Sequence, residues 1–475
     1  MDGIGAESWG RVLAPEPVAA AVTSVAGGAS GGVSLQALTV SDSVQAADVA
    51  GQLIDQLRVL EDMKSAISGL QAKIAVAFDH AQRQVQAGQG VPASERGKGV
   101  AAQIALARRE SPNRGSRLLG LAKALVTEMP HTMAALDSGQ LNEWRATLLV
   151  KETACLSAED RCGVDEELAA DSGTFEGVGD RSLVAAAKAA AYRRDPRSVT
   201  QRAAHAASER HVALRPAPDT MAILTALLPV AQGVAAYRAL KESADSAHSA
   251  GDERTRGQVM ADTLVERLTG TPGGISKVEV QLVMTDRTLF QGDSEPARLE
   301  GYGTVPGGWS RELVGMAGNA QPREFTPPRS SAERQQAPGQ GAQAPTDPTF
   351  EVYLRRLFTA PASGELVAMD SKARLFPRGM RRFVEARDSL CRTPYCGAPI
   401  RHIDHIVPWR AGGPTTLRNG AGLCEQCNHA KENPGWSSKT LPRGPNAHQM
   451  EVQTPTGHTY RSTAPPLPGH SPALV

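Results

Sequence analysis

The chain has 475 residues, a net charge of +1 and 41% hydrophobic residues, while only 4% of its residues are aromatic. This length is sufficient for two or three domains, and a core built from Ala, Val and Leu favours packed helices over an aromatic-rich β-sandwich. No apolar run reaches the roughly 18 residues that a membrane span requires, so we expect no transmembrane segment and no membrane partner.

The small net charge conceals a division along the chain. The part from Glu351 to the end has 16 Lys and Arg against 9 Asp and Glu, whereas the rest has 35 basic and 41 acidic residues. A basic C-terminal part on an acidic remainder indicates that only the C-terminal part contacts a polyanion.

The first 87 residues predict a leader and a long helix. Residues 1–39 are rich in Ala, Gly and Ser, which is typical of a disordered leader. Ser41 is a plausible N-cap for a helix that ends near Ala87. Its apolar residues are spaced by threes, fours and sevens, which places them on one stripe that we interpret as core or as a helix–helix interface. They are Leu53, Leu57, Leu60, Ile67, Leu70, Ile74 and Phe78.

Residues 40–317 predict a mainly α-helical domain. Further helical patterns occupy 99–109, 115–128, 131–138, 140–156, 180–193, 196–211, 219–244 and 252–269, and one alternating segment at 278–283 predicts a strand. The Pro/Gln/Gly-rich segment 318–350 predicts a disordered linker. We expect a second, compact domain at 351–460 with its core at 388–436, followed by a flexible tail at 461–475.

Four of the six cysteines lie close together, as Cys391-x4-Cys396 and Cys424-x2-Cys427. Two pairs at this spacing can close a tetrahedral thiolate site on structural Zn²⁺. The alternative is a set of buried free thiols, which their spacing as metal ligands makes the weaker interpretation. Six cysteines are too few for a disulfide scaffold, and their clustering favours a metal site in a reducing compartment, so we expect a cytoplasmic protein.

The residues between and after the cysteine pairs predict a small ββα unit tied by zinc. The alternating stretch 402–407 is typical of a strand, and Gly412-Gly413-Pro414 supplies a tight turn. A short helix is expected after Cys427, with Asn428 as a possible cap.

Several motifs here resemble known nucleases. Asp404-His405, Asn419 and Cys424-x2-Cys427-Asn428-x2-Lys431 resemble the HNH (ββα-metal) nuclease motif. The wider sequence is similar to an actinobacterial HNH endonuclease-signature family, the thirteen-E-twelve repeat proteins, over roughly residues 40–317 and 350–468. Further matching motifs are Gly301-Tyr302-Gly303, Arg356-Leu357-Phe358, Gly364-Glu365-Leu366, Arg387-Asp388 and Thr454-Pro455-Thr456-Gly457-His458. The helical domain of that family has no assigned activity.

The resemblance implies metal-dependent hydrolysis of DNA phosphodiester bonds. His405 matches the general base that activates water, and Asp404 matches a ligand of a catalytic Mg²⁺ or Mn²⁺. Asn419 matches the residue that braces the loop and orients His405. The final metal ligand falls on the amide oxygen of Asn428, with the neighbouring His429 as an alternative.

Basic residues crowd around this motif, and we interpret them as phosphate contacts, although a solvated basic face is the simpler alternative. They are Arg392, Arg401, Arg410, Arg418 and Lys431. Asn428 has a simpler interpretation too, as a helix cap only.

Two other functions remain open. The C-terminal domain could be a zinc-stabilised DNA-binding module without turnover, which would bind DNA independently of magnesium and with a steep salt dependence. The helical domain could be an interaction domain that forms a homo-oligomer or binds a protein partner, with the nuclease motif a degenerate relic. Asp404-His405 favours the nuclease, because a structural zinc knuckle does not need this pair.

Overall fold

The computed structural model describes residues 43–171, 173–270, 281–316, 374–442 and 448–469, together with the backbone of short strands at 323–324, 353–354 and 370–371. The chain divides into two compact units, one ending at His205 and the other beginning at Ala206. The predicted leader, the Ser41 cap and nearly all of the predicted linker lie outside the described residues. None of the described helices is both long and apolar enough to cross a membrane.

The first unit is helical, and it begins with the long helix that the sequence predicts. The helices are α1 (Ser43–Gly88), α2 (Val100–Ala107), α3 (Pro112–Thr127), α4 (Pro130–Asp137), α5 (Glu143–Glu152), α6 (Ala158–Ala169), α7 (Asp180–Arg194) and α8 (Pro196–Ala206). Ser111, Asn142 and Ser157 cap the helices that follow them, each accepting a hydrogen bond from a backbone N–H of the first turn. These caps explain why polar residues and prolines in the sequence mark where the helices begin.

The core of the first unit lies where α1 meets the following helices. It contains Leu121, Leu125, Leu136 and Leu149 together with many alanines. From α1, Gly69 lies against α4, and a Cβ at this position would be 2.3 Å from Asp137 Oδ1, so a larger residue would require the Asp137 side chain to move.

Part of the apolar stripe predicted on α1 is not core. Five of its aliphatic side chains are between 43% and 60% exposed, and we name them the α1 stripe: Leu53, Leu57, Leu60, Ile67 and Ile74. The other two, Leu70 and Phe78, are partly buried. Other described residues therefore leave these five side chains largely uncovered.

The second unit begins with a β-hairpin that the sequence analysis missed. Strands β1 (His211–Ala217) and β2 (Met221–Leu227) pair antiparallel, so the helices predicted at 196–211 and 219–244 are wrong in this region. Asp219 and Thr220 both adopt positive φ, 59° each, which is the backbone conformation that joins tightly paired strands. The Ala and Leu content of β2 suggests a helix, but this turn imposes the strand pairing.

Two helices and a small sheet follow the hairpin. They are α9 (Val230–Ser249), α10 (Arg256–Thr269), β3 (Leu282–Val283), α11 (Asp286–Phe290), β4 (Ala297–Leu299), β5 (Gly303–Val305) and α12 (Gly307–Met316). The three strands form an antiparallel sheet in chain order. The described end of the predicted strand 278–283 is β3. Arg298 of β4 donates hydrogen bonds to the carbonyls of Ala386, at 2.7 Å, and Pro466, which joins this sheet to the C-terminal module.

The C-terminal module confirms the predicted fold class, a small ββα unit following a mainly helical region. Its elements are β6 (Arg323–Glu324), β7 (Tyr353–Leu354), β8 (Asp370–Ser371), α13 (Arg378–Asp388), β9 (His402–His405), β10 (Thr415–Thr416), β11 (Gly420–Leu423), α14 (Glu425–Ala430), β12 (Ser437–Thr440), β13 (Gln449–Gln453) and β14 (Thr459–Thr463). Strands β9 and β11 form the hairpin of the ββα unit, and α14 is its helix. Strands β12, β13 and β14 form a second antiparallel sheet.

Part of the segment that the sequence assigns to a flexible tail is built into this module. Strand β14 extends to Thr463, and the side chains of Ala464 and Leu467 are buried. The tail therefore contributes apolar side chains to the folded module at least as far as Leu467.

Candidate functional site

Four thiols converge at the base of the β9–β11 hairpin and α14. The sulfur atoms of Cys391, Cys396, Cys424 and Cys427 all lie within 4.8 Å of one another. Cys396 Sγ is 3.7 Å from Cys424 Sγ and 3.5 Å from Cys427 Sγ. A tetrahedral zinc with Zn–S bonds of about 2.3 Å requires sulfur atoms roughly 3.8 Å apart, so the four thiols fit this ion. The clustering predicted from their spacing is confirmed.

Local backbone geometry brings the thiols together. Cys424 is the N-cap of α14, and its Sγ accepts a hydrogen bond from the backbone N–H of Cys427 at 3.4 Å. Hydrogen bonds from Cys396 and Cys427 lower the pKa of the Cys391 thiol, and the contacts with Cys391 raise the pKa of the Cys396 and Cys427 thiols. The cap position also corrects an expectation, because Cys424 and not Asn428 caps the helix.

His405 lies at the end of β9, and its side chain is only 5% exposed. Its ring packs between Phe376, at 4.6 Å between ring centroids, and Trp409, at 5.8 Å. His405 Nε2 is 2.9 Å from Thr415 Oγ1, and this hydroxyl donates to the carbonyl of Arg374 at 3.5 Å. We assign the tautomer in which Nε2–H donates to this hydroxyl, which leaves Nδ1 as the acceptor on the side of the ring that faces Asp404.

The surroundings of His405 favour its neutral form. Burial lowers the pKa of the imidazole, the positive charges of Lys431 and Arg374 lower it further, and the carboxylate of Asp404 opposes them. The net shift is below the ordinary value. A neutral imidazole with a free nitrogen can accept a proton near neutral pH.

Asp404 is held in its ionised form by Lys431. The carboxylate oxygen Oδ2 of Asp404 lies 2.5 Å from Lys431 Nζ, and Oδ1 lies 3.7 Å from His405 Nδ1. Burial raises the pKa of Asp404, but the hydrogen bond and charge of Lys431 outweigh burial and leave the pKa below its usual range. Lys431 also donates to the His405 carbonyl at 2.7 Å, so it is tied to the site and is not an outer surface residue.

Asn428 presents a buried oxygen without a protein partner. It lies on α14 three residues before Lys431, which places both side chains on one face of the helix. Within the part of the chain that the structure describes, Asn428 Oδ1 is buried and accepts no hydrogen bond. An unpaired buried oxygen costs about 1–3 kcal/mol, a cost that a bound cation would remove. Carboxylate and amide oxygens are the ligands that Mg²⁺ and Mn²⁺ prefer, so Asp404 and Asn428 fit such an ion. The side chain of His429 is exposed.

Asn419 fastens the loop that connects β9 to β10. Its Oδ1 accepts from the backbone N–H of Val407 at 2.9 Å, and its Nδ2 donates to the carbonyls of Val407, at 3.0 Å, and Pro414, at 2.9 Å. The next residue, Gly420, pairs with His405 across the hairpin. Gly413 allows this closure, because a Cβ there would be 1.9 Å from the Val407 carbonyl oxygen.

The five predicted phosphate-contacting residues have different environments. Arg401, Arg410 and Arg418 are exposed, and Arg410 pairs with Glu432 at 2.9 Å. Arg392 is only 3% exposed, so the sequence interpretation of this residue needs correction. Its guanidinium is engaged in the interior by Asp388 and by the carbonyls of His448 and Ser462. It is therefore not offered to a nucleic acid.

Sequence reasoning missed Phe376 and Thr415, which hold the His405 ring. Both contacts depend on the folded chain, since Phe376 is 29 residues away from His405 and Thr415 is separated from it by a loop. Neither residue has a local pattern that distinguishes it from an ordinary core or turn residue.

Two family models match the chain. One, described as a domain of unknown function (DUF222), matches residues 57–303, and the other, described as HNH endonuclease, matches residues 391–434. The second match contains the four clustered thiols, Asp404, His405, Asn419 and Asn428. No curated protein and no solved structure matches the chain.

Proposed function

The chain belongs to the DUF222 family and carries an HNH endonuclease domain, and from this premise we propose that it hydrolyses DNA phosphodiester bonds in a metal-dependent reaction. One observation carries the proposal. In the assigned tautomer the acceptor Nδ1 of His405 lies 3.7 Å from Asp404 Oδ1. Lys431, the C-cap of α14, pairs with the same carboxylate, and the unpaired buried oxygen of Asn428 belongs to this helix.

Each residue then has a role in hydrolysis. His405 accepts a proton from the attacking water at Nδ1, while Thr415 and Phe376 hold the ring in position. Asp404 and Asn428 would hold Mg²⁺ or Mn²⁺, with His429 as the alternative ligand, and this ion would neutralise charge on the scissile phosphate. Asn419 keeps the loop closed, and Arg401, Arg410 and Arg418 contact phosphates from the exposed surface.

The thiol cluster has a separate, structural role in this proposal. Thiolates suit zinc, whereas the oxygens of Asp404 and Asn428 suit a harder ion. Four protein ligands leave no open position on the zinc for water or substrate, which is the arrangement of a structural site. Zinc therefore holds β11 and α14 in place and takes no part in hydrolysis.

The test is cleavage of supercoiled plasmid by zinc-loaded protein in Mg²⁺, in Mn²⁺ or with no added divalent cation. The parent should cut only with an added cation. An Asp404→Asn variant and an Asn428→Ala variant, each with unchanged zinc content, should lose at least about 10²-fold in rate. Cleavage that persists at the parent rate in the Asp404→Asn protein would refute its role as a ligand.

The same assay separates the nuclease from a DNA-binding module without turnover. Such a module is favoured only by the thiol cluster, which by itself would stabilise either kind of domain. It would bind the plasmid without a divalent cation and leave it uncut under all conditions.

For the helical unit we propose a role in self-association through the α1 stripe. Leu53, Leu60, Ile67 and Ile74 are exposed and spaced by seven residues, so they occupy one of the two apolar positions of the heptad by which like helices pack in a coiled coil. The parent should therefore have a solution mass near twice 50.0 kDa. A Leu53→Glu/Leu60→Glu protein should be a monomer, and an Arg58→Glu protein should stay dimeric. A monomeric parent would contradict this role.

A further inference from the structure

The helix that precedes the thiol cluster carries arginines that the proposed chemistry does not use. Arg378, Arg381 and Arg382 lie on one side of α13, and Arg374 lies just before the helix. All four side chains are exposed. The other side of the helix is buried through Met380, Phe383, Val384, Arg387 and Asp388. We name the four exposed residues the arginine face.

Protein carboxylates neutralise this face only in part. Among the described residues, none of the four arginines forms an ion pair, whereas Arg410 and Arg461 of the same module have acidic partners. The carboxyl of Glu385 is on the same helix, but burial and the charge of Glu300 raise its pKa, against the opposing effects of Arg381 and Arg382. The face is therefore a concentrated positive charge in contact with solvent.

The position of these arginines on the helix is unfavourable for stability. The first turn of α13 contains no acidic residue, and Arg378 and Arg381 occupy the end of the helix where the backbone dipole is already positive. The repulsion between these charges and the positive end of the helix opposes folding. Together the exposed guanidinium groups and the helix end attract an anion.

The arginine face is next to the His405 site. Phe376, two residues before Arg378, packs against the His405 ring at 4.6 Å. The carbonyl of Arg374 accepts the hydrogen bond of Thr415, which in turn contacts the same ring. Two residues of extended chain span roughly 7 Å, so the face begins on the order of 10 Å from the proposed general base.

We propose that the arginine face binds the phosphate backbone of duplex DNA and leads one strand into the His405 site. This inference rests on the proposed function, and it assigns DNA contacts to a helix that lies outside the matched HNH segment 391–434. Guanidinium groups recognise phosphate oxygens through paired hydrogen bonds, and these contacts do not depend on base sequence. The face therefore supplies affinity and orientation, and sequence preference arises elsewhere.

The experiment measures binding without cleavage. Zinc-loaded full chain is titrated into a fluorescein-labelled 30-base-pair duplex, without added divalent cation, between 50 and 200 mM NaCl. The test variant is Arg378→Gln/Arg381→Gln/Arg382→Gln. The matched control removes three exposed arginines of the helical unit, as Arg58→Gln/Arg117→Gln/Arg181→Gln, so both proteins lose the same charge.

The test variant should bind at least about tenfold more weakly at 100 mM NaCl. Because each phosphate contact contributes about 0.9 to the slope of log K against log salt, its slope should be smaller by about 2 to 3. The control should bind as the parent does, and thermal unfolding of the test variant should be unchanged or higher. Equal affinity and slope in the test variant would overturn the proposal, as would a parent that does not bind duplex DNA.

Two results separate this proposal from the proposed function. A parent that binds through the arginine face but cuts no plasmid in Mg²⁺ or Mn²⁺ supports the face and contradicts the nuclease. A parent that cuts plasmid, with a test variant that binds normally, supports the nuclease and contradicts the face. Tighter DNA binding by the test variant would also contradict it, since the acidic part of the chain would then be what the arginines bind.

Discussion

The two units of the chain are stabilised by different interactions. The helical unit has a continuous core of Leu, Met, Ala and Phe side chains contributed by most of its helices. In the C-terminal module the apolar clusters are small, and one of them consists of Leu423 with the thiols. Much of the remaining interior is charged, because Asp388 accepts hydrogen bonds from Arg387 at 2.7 Å, Arg392 at 2.9 Å and the Gly422 N–H at 2.8 Å.

This difference predicts which substitutions should destabilise each unit. A large aliphatic core loses stability gradually as methyl groups are removed. A small module that depends on a metal and on buried ions fails when one ligand or one charge is removed, because the remaining groups are left uncompensated. Most of the stability changes predicted below should therefore be confined to the C-terminal module.

Removal of zinc should have the largest effect. Binding of a structural zinc is worth on the order of 10 kcal/mol, so a Cys424→Ser/Cys427→Ser protein should lose the fold of the C-terminal module while the helices remain. Hydrogen exchange measured by mass spectrometry should show loss of protection at 391–434 and parent-like protection at 112–152. Cys155→Ser in the helical unit is the control and should change neither. Retained protection at 391–434 would mean that the module does not need the metal.

Neutralising the buried carboxylate should have the next largest effect. Asp388→Asn leaves two guanidinium groups, those of Arg387 and Arg392, without their buried counter-charge, which should cost about 3–5 kcal/mol of unfolding free energy. Urea denaturation of the C-terminal module measures this loss. Glu242→Gln, which removes an exposed ion pair with Arg238, is the matched control and should cost no more than about 0.5 kcal/mol. Equal losses of unfolding free energy in the two variants would contradict the claim that the buried carboxylate contributes more to stability than an exposed ion pair.

Replacement of Arg298 should have the third largest effect on stability. This substitution tests whether the sheet β3–β5, part of which lies in the DUF222 match, stabilises the C-terminal module. Its buried guanidinium donates to the carbonyls of Ala386 and Pro466, so Arg298→Ala should destabilise the C-terminal module by about 2–3 kcal/mol. Arg311 donates instead to carbonyls of Thr288 and Asp293 in its own segment. Arg311→Ala should shift the urea midpoint of the C-terminal module by less than half as much. An Arg298→Ala protein with the parent midpoint would show that the sheet β3–β5 adds nothing to this module.

A pH dependence should follow from His448. Burial lowers its pKa to about 3, and the charges of Arg387 and Arg392 contribute to the shift. Because the unfolded chain takes up a proton near pH 6.5 and the folded chain does not, this stability is present above pH 6.5 and is lost as the pH falls towards 3. At pH 5 the loss is about 2 kcal/mol. Urea midpoints at pH 7.5 and 5 should differ in the parent and differ less in His448→Gln. Equal pH dependence in both would assign the effect to other groups.

Local sequence predicted the features that depend on spacing. The thiol cluster, the β9–β11 hairpin and α1 follow from patterns that a few neighbouring residues set. The β1–β2 hairpin was missed because its second strand is rich in Ala and Leu, and the turn at Asp219 and Thr220 decides the outcome. The spacing of residues also cannot show burial, which is why Arg392 was interpreted as a surface cation.

Contacts between distant segments could not be predicted at all. Arg298 reaches carbonyls more than 80 residues further along the chain, and Phe376 reaches His405 across the thiol pair of Cys391 and Cys396. A single sequence contains no signal for such pairs, since nothing in it distinguishes Arg298 or Phe376 from the other arginines and phenylalanines. The contact of Phe376 is nevertheless one of those that position the ring of His405.

Hydrolysis at His405 is tested most directly by one comparison of cleavage rates. Supercoiled plasmid is incubated in Mn²⁺ with parent or His405→Ala protein, at matched zinc content and matched thermal unfolding. The variant should cut at least about 10²-fold more slowly, because the imidazole whose Nδ1 faces Asp404 is the group that we propose takes the proton from water. A folded, zinc-containing His405→Ala protein that cuts as fast as the parent would contradict the proposed mechanism.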